Sequence, residues 1–268
     1  MIMNGVQLYL RLIRISLLSR MQYRANFIVG LLGLIVWNLV NLGLIGVLIN
    51  QFESLKDWTL WELVFLYCLW IFGHSLYNLF FSHTSQMEDY LIEGTFDQFL
   101  LRPVSPLIQV LGREFQYLEI ADALFALTGL SLAYSRLGLH WDGWHWAFFV
   151  LAVVSSAVIV LAINLLIACT AFWTGRSRGV SMVVGRFDGL VQWYPLEIFG
   201  RAFRVIVTGL LPVAFLNYYP ALILLDKLDP SNSGWWLSYM SPLVALLLIG
   251  IVSRVWHLAL MHYTSSGS

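Results

Sequence analysis

The sequence predicts an all-α membrane protein with six transmembrane helices, and three observations carry that prediction. Of its 268 residues, 59% are hydrophobic and only 11% charged, with a mean hydropathy of +0.77; a water-soluble domain carries roughly 25% charge. Apolar runs of bilayer length, about 20 residues, recur along the chain. The basic residues sort strongly to one side of those runs.

The N-terminus sets Arg11, Arg14, Arg20 and Arg24 among Leu8, Leu10, Ile13, Ile15, Leu17 and Leu18. It has no compact apolar core and no small-residue cleavage site, so it is not a cleavable signal. Residues 1–26 read as an amphipathic helix on the cytoplasmic face, its arginines held by anionic headgroups. A plain basic flank to the first span would give the same orientation.

Residues 27–49 form the first span, without a charge, and 63–81 the second, with His74 as its one ionisable group. The third, 115–139, carries Glu119, Asp122 and Arg136 towards its ends. Residues 146–175 are a long uncharged fourth, and 235–258 a sixth, uncharged as far as residue 253. Between them the pattern divides. Hydropathy selects 205–225 as the fifth span, although Pro212 and Pro220 interrupt it, because 179–197 contains Arg186 and Asp188. Each of those charges costs roughly 2.5–3.5 kcal/mol near a span centre.

Either choice leaves both termini on one side. With the hydropathy choice, that side holds Arg11, Arg14, Arg20, Arg24, Arg102, Arg113, Arg176, Arg178, Arg186, Arg201, Arg204 and Arg254, against Lys56, Arg136 and Lys227 opposite. Moving Arg201 and Arg204 across leaves it ahead by ten to five. Both termini are therefore expected in the cytoplasm. Trp58, Trp61, Trp141, Trp144, Trp146, Trp235 and Trp236 collect at the outer ends, as interfacial anchors do.

The largest polar excursion on the cytoplasmic side is 82–114. Gly94 breaks it into two helical pieces. Thr95 and Gln98 have the spacing of a capping box, and Pro103 stops the helix at Arg102 or before. Phe96, Phe99, Leu100 and Leu101 supply apolar surface to a helix of about two turns, too short to stand without packing. Spacing alone fits a helix lying among lipid headgroups; the carboxylates of Glu88, Asp89, Glu93 and Asp97 argue against that, because an anionic leaflet repels them.

Several function classes lack their residues. A P-loop needs Gly-Lys-Ser or Gly-Lys-Thr, whereas Lys56 and Lys227, the two lysines, are followed by Asp57 and Leu228. No dense basic stretch points to nucleic acid. His74 and His83, or His140, Asp142 and His145, form no metal-protease or comparable catalytic set. Cys68 and Cys169 sit inside apolar runs as packing residues. An ion-coupled transporter would use Glu119 and Asp122, on one helical face, with His74 as a weaker relay; the chain has no internal repeat of the kind such transporters carry. Asn38 and Asn41 share a face of the first span, while Asn78 and Asn164 stand alone; bonding between spans is their ordinary use. Gly43 and Gly46 would allow close helix approach.

The run Ile92-Glu93-Gly94-Thr95-Phe96-Asp97-Gln98-Phe99-Leu100-Leu101-Arg102-Pro103-Val104-Ser105-Pro106 resembles the coupling segment of permease subunits of type-2 ABC exporters. It is similar in particular to a bacterial branch of about 260 residues with a G-T-x-D-x-x-L-L-R-P pattern. The closing Met261 to Ser268, the Trp193 to Phe199 stretch, and the later Leu211-Pro212 and Tyr219-Pro220 are similar to that branch as well. The resemblance implies a basic connecting helix over 1–26, a coupling helix between spans two and three, and a hairpin dipping into the outer leaflet. The fifth span is then 179–197, with Arg186 and Asp188 facing each other or a cavity, and 200–225 is the hairpin.

The resemblance also implies a transport subunit without an ATPase site, embedded in the bacterial cytoplasmic membrane and paired with an identical or related permease. Two soluble ABC ATPase subunits, carrying the ATP and Mg, would meet Glu93, Gly94, Thr95, Phe96, Asp97, Phe99, Leu100, Leu101, Arg102 and Pro103. Their closure would shift spans two and three and export a substrate that the sequence does not identify. No cofactor is expected on this chain. Asn38, Asn41, Glu119, Asp122, Arg186 and Asp188 are the expected polar lining or pairing residues. The competing reading keeps 205–225 as the fifth span and runs on an ion gradient through Glu119 and Asp122.

Overall fold

A computed structural model describes residues 24–52, 57–113, 115–229, 231 and 234–263. The expected amphipathic helix over 1–26 lies almost wholly outside them, as does the tail beyond Tyr263. The described chain is an all-α membrane protein, with no strand among the described residues.

Two helices form its centre. The second helix, α2 (Leu60–Phe81), and the seventh, α7 (Gly143–Thr174), are apolar on all sides. Both are far more deeply buried than α1 (Arg24–Phe52). A helix apolar all round is stable when it is surrounded. Here α6 (Glu119–Leu137) packs along α2, and α11 (Ser241–Met261) along α7. Close approach is set by glycine: a Cβ on Gly73 of α2 would lie 2.1 Å from Ser156 Oγ of α7, and one on Gly129 of α6 would lie 2.3 Å from Cys68 Sγ. Both cysteines are free and buried, as packing residues should be. Gly43 and Gly46, by contrast, have open space for at least 4 Å around the place a Cβ would occupy, and they set no approach within this chain.

Helix α1 is attached by polar contacts. Asn38 and Asn41 are both buried. Asn38 Nδ2 donates to Asp122 Oδ1 of α6 at 2.7 Å, and Tyr67 OH of α2 donates to Asn38 Oδ1 at 3.0 Å. Polar bonds of this kind hold helices together where the surroundings are as apolar as the helix surface.

Among the described residues, four stretches are long and apolar enough to cross a membrane: Ile28–Val47, Leu60–Ile92, Gly143–Thr174 and Ser241–Met261. Within the second, α2 alone has 22 residues, roughly 33 Å at 1.5 Å per residue, which is enough for the hydrocarbon core. Helix α6 begins at Glu119 rather than 115, because residues 115–118 run as turns, and Gln116 N donates to Leu79 O at the end of α2. Residues 235–239 form a 3₁₀ turn before α11 rather than its first turn.

The disputed region resolves into two pieces. Residues Arg178–Trp193 are one 16-residue helix, α8. Residues 201–224 are not a straight span. They contain α9 (Arg201–Val205), a π-turn (Ile206–Leu210), a 3₁₀ turn (Pro212–Phe215) and α10 (Tyr218–Leu224), and the two halves bend by 72°. Counted as one span, the bent pair would make a fifth candidate. Pro212 lacks the N–H a continuing helix needs, and Leu211 N closes the π-turn on Ile206 O at 2.8 Å. Asn217 then holds the bend: fully buried, it donates through Nδ2 to Leu66 O of α2 and Val191 O of α8, and its Oδ1 accepts from Tyr218 N. Both halves begin and end near the same end of the bundle. Tyr218 OH donates to Glu197 at 2.6 Å, Trp141 Nε1 donates to Leu224 O at 2.9 Å, and Lys227 pairs with Glu62 at 2.8 Å.

Candidate functional site

At the other end of the bundle, residues 82–113 build a compact plate. Helix α3 (Met87–Ile92) ends at Glu93, and Gly94 takes the left-handed φ of +69° that lets the chain reverse. Helix α4 (Asp97–Leu100) is one turn, and α5 (Pro106–Leu111) another short piece. The expected two-turn helix with Thr95 as its cap is corrected here. Phe96 precedes the helix without a side-chain cap, and Thr95 Oγ1 instead donates to Tyr90 O at 3.4 Å. Gln109, buried, donates through Nε2 to Phe99 O and Val104 O, both at 2.9 Å. It thereby satisfies carbonyls that so short a helix leaves open.

The plate packs against the ends of three long helices. Phe96 is fully buried, with its ring 5.3 Å from Phe172 of α7 and 5.0 Å from Tyr263 just beyond α11. Phe172 continues the chain of rings to Trp256 of α11 at 5.7 Å. Phe99, also buried, lies 5.5 Å from Tyr90, and the Arg113 guanidinium sits over the Tyr90 ring. Of the ten residues expected to face a partner, Phe96 and Phe99 therefore point inward and offer it no surface. Thr95 and Asp97 are half-buried. Tyr263 OH donates to Asp97 Oδ1 at 2.8 Å. Burial first, and then the bond to a carboxylate, push the Tyr263 phenol up to about 12, so it remains a donor.

The third attachment is to α8. Glu88, buried in α3, accepts from Ser177 N at 2.6 Å, Arg178 N at 2.7 Å and Ser177 Oγ at 3.2 Å. These amides belong to the start of α8, where the helix leaves its first N–H groups unpaired. The Ser177 N–H above all holds the Glu88 carboxyl below the usual carboxylate range. Asp89 pairs with Arg178 beside it. The acidic approach therefore binds protein as well as facing water, with Glu88 as an interhelix cap. Sequence reasoning had no signal for this, because the donors lie about 90 residues further along the chain.

What remains outward is a short ridge. Leu101 is 85% exposed, next to exposed Leu100, Arg102 and Pro103, with Ile92, Glu93 and Gln98 on the approach. Leu101 is the most exposed large hydrophobic side chain among the described residues, and Ile92 and Leu100 are exposed with it.

The half-buried carboxylates of the bundle are distributed among asparagines and a histidine. Glu119 accepts from Asn78 at 3.4 Å, and Asp122 from Asn38. Asn164 bonds its own helix at Val160 O. Asp188 does not face Arg186, which lies exposed. It meets His74 Nε2 at 3.0 Å and Trp70 Nε1 at 2.9 Å, with a cavity of about 100 Å³ beside it. The reason is helical period: residues two apart point to different sides. At the far end Asp142 caps α7 by accepting from His145 N, and no group of metal-ligating residues occurs among the described residues.

Searches of curated proteins and of solved structures find no significant match. The family model described as ABC-2 family transporter protein matches residues 35–267, from the middle of α1 to the tail. That range takes in the whole 87–111 plate, the bent pair and α8, and the chain accordingly belongs to the ABC-2 family of transporter proteins, as a multi-pass membrane permease.

Proposed function

We propose that this chain is the permease half of an ATP-driven exporter whose ATPase is a separate soluble subunit, seated against the ridge from Leu100 to Pro103. One observation carries the reading. The 87–111 plate is buried on its inner side against α7, α8 and α11, while its outer edge presents Leu101 at 85% exposure. A plate fixed on three sides transmits a push as a rigid body, and an exposed apolar edge with an arginine suits a protein partner. Glu93, Gly94, Leu100, Leu101, Arg102 and Pro103 make the contact in this reading; Thr95, Phe96, Asp97 and Phe99 hold the plate together.

Closure of two ATPase subunits, which carry the ATP and Mg, biases the packing of the bundle through that edge. The thrust reaches α7 and α11 through Phe96, Phe172 and Tyr263, and α8 through Glu88, in addition to α2 and α6, which flank the plate in sequence. This is a broader path than spans two and three alone.

The six spans of this reading are α1, α2, α6, α7, α8 and α11, with 201–224 as a hairpin entering and leaving at the outer face. Three features support it: the 72° bend, the return of both halves to one end, and the pairing of Glu119, Asp122 and Asp188 with groups inside the bundle. In this reading both termini lie in the cytoplasm of a bacterial cell, an orientation the arginine count favours, and a second permease, identical or related, completes the transporter.

Co-expression with soluble ABC ATPase subunits from the same organism tests the contact. Leu101→Asp is expected to insert and fold normally while reducing ATPase co-purification by about tenfold or more. Unchanged co-purification would place the contact elsewhere. Transport by the chain alone in proteoliposomes under an ion gradient, lost in Asp122→Asn, would favour the ion-coupled reading.

A further inference from the structure

The hairpin lines an open cavity of about 720 Å³, between residues 196–209, 218–229 and 234–238. That volume is in the range of ligand sites, about 300–1,000 Å³. Its chemistry is divided. Val205, Leu222, Leu228 and Leu237 line it with hydrocarbon, while Arg201 and Arg204 bring two guanidinium groups from α9, one turn apart on the same face.

Those two arginines differ from the other described cations at this end. Lys227 is held by Glu62 at 2.8 Å and lies over Trp58, and Arg136 lies over Trp61. Arg201 and Arg204 are exposed and form no ion pair among the described residues. On the same wall Glu197 accepts from Tyr218 OH, and Asp229 accepts from Ser231 N and Oγ, neutral donors that leave both carboxylates charged. Thr208 and Tyr219 add two hydroxyls, 3.0 Å from each other. Val205 on its wall is 62% exposed, and Leu210, next to the lining Gly209, is 76% exposed.

We infer that this cavity is a binding site for an anionic amphiphile entering sideways from the membrane. Its phosphate oxyanion sits between Arg201 and Arg204 and accepts a bond from the one hydroxyl of the Thr208–Tyr219 pair whose proton is not used between them. Its chain lies along Val205, Leu222 and Leu237. Arginine forks match phosphate oxygens in pairs, and the hydrocarbon wall selects a ligand that brings a tail. The site stands independently of the ATPase contact, because it lies at the opposite end of the bundle and needs no partner.

Native mass spectrometry of the purified full-length chain in detergent tests this, with phosphatidylglycerol, phosphatidylcholine and inorganic phosphate as separate probes. One retained phosphatidylglycerol per chain is expected, bound about tenfold more tightly than phosphatidylcholine. The pair Arg201→Gln/Arg204→Gln should abolish that preference, while Arg254→Gln, at the other end, should retain it. Gly209→Trp tests the same site with both arginines intact, since a side chain there meets nothing within 4 Å of its Cβ; it too should lose the bound lipid. Full preference in the double variant or in Gly209→Trp overturns the site. Displacement of the lipid by inorganic phosphate alone overturns the amphiphile and leaves a free-anion site.

Discussion

Glu88 and Asn217 perform the same task at opposite ends of α8. Glu88 accepts from the first amides of the helix, and Asn217 donates to Val191 O in its last turn. Each satisfies backbone groups that a helix end leaves open, and each belongs to a different segment, so a 16-residue helix is held between the plate and the hairpin. Glu88 makes this attachment sensitive to acid. Its carboxyl lies below the ordinary value when folded, so its contribution is complete above the unfolded value of about 4.5 and is lost as the pH falls through the lower, folded one. Glu88→Gln is therefore expected to lower the melting temperature at neutral pH, with the gap from the parent closing as the pH drops below that of an ordinary carboxylate. Thermal unfolding in detergent across an acid series checks it. An equal gap at every pH would mean that the Glu88 charge contributes nothing and that the effect is steric.

At the scale of elements, the turn between α3 and α4 rests on Gly94 at φ +69°. Residues with a Cβ enter that region at roughly 1–2 kcal/mol, asparagine more readily than others. Gly94→Ala should loosen the plate by about 1 kcal/mol, with Gly94→Asn costing less, and limited proteolysis between residues 93 and 103 should rank the three proteins in that order. Gly94 and Pro103 were legible in the sequence because what they do depends on their own backbone. The faces of Phe96, Phe99, Leu100 and Leu101 were not. Around a single helical turn and its two caps, the side chains at 96, 99, 100 and 101 point in different directions, and which pair is buried depends on where Phe172 and Tyr263 lie. The cap at Thr95 failed for a related reason: its hydroxyl found Tyr90 O, made available by the reversal at Gly94.

Across the whole molecule, the contact between the two central helices sets the spacing of the bundle. Gly73→Ala would place a methyl group 2.1 Å from Ser156 Oγ and 2.7 Å from its Cβ, forcing α2 and α7 apart. Overpacking of this kind costs about 1–3 kcal/mol. Ser156→Gly should restore most of that loss in the double variant, and melting temperatures of the three proteins measure the coupling. Additive losses would show that the helices relax by another route.

The sequence by itself determined the all-α membrane class, the positions of the long apolar helices, the break at Gly94 and the tryptophan-rich end. Each of these follows from composition, run length or the backbone of a single residue. The tertiary structure decided the burial of Phe96 and Phe99, the partner of Asp188, the role of Glu88 and the bend at residues 201–224. Those features depend on groups that are distant in sequence: His74 for Asp188, Ser177 for Glu88, and the Leu66 and Val191 carbonyls for Asn217. Hydropathy records whether a residue can leave water. It does not record which neighbour replaces the water, and in a buried polar group that neighbour decides the structure.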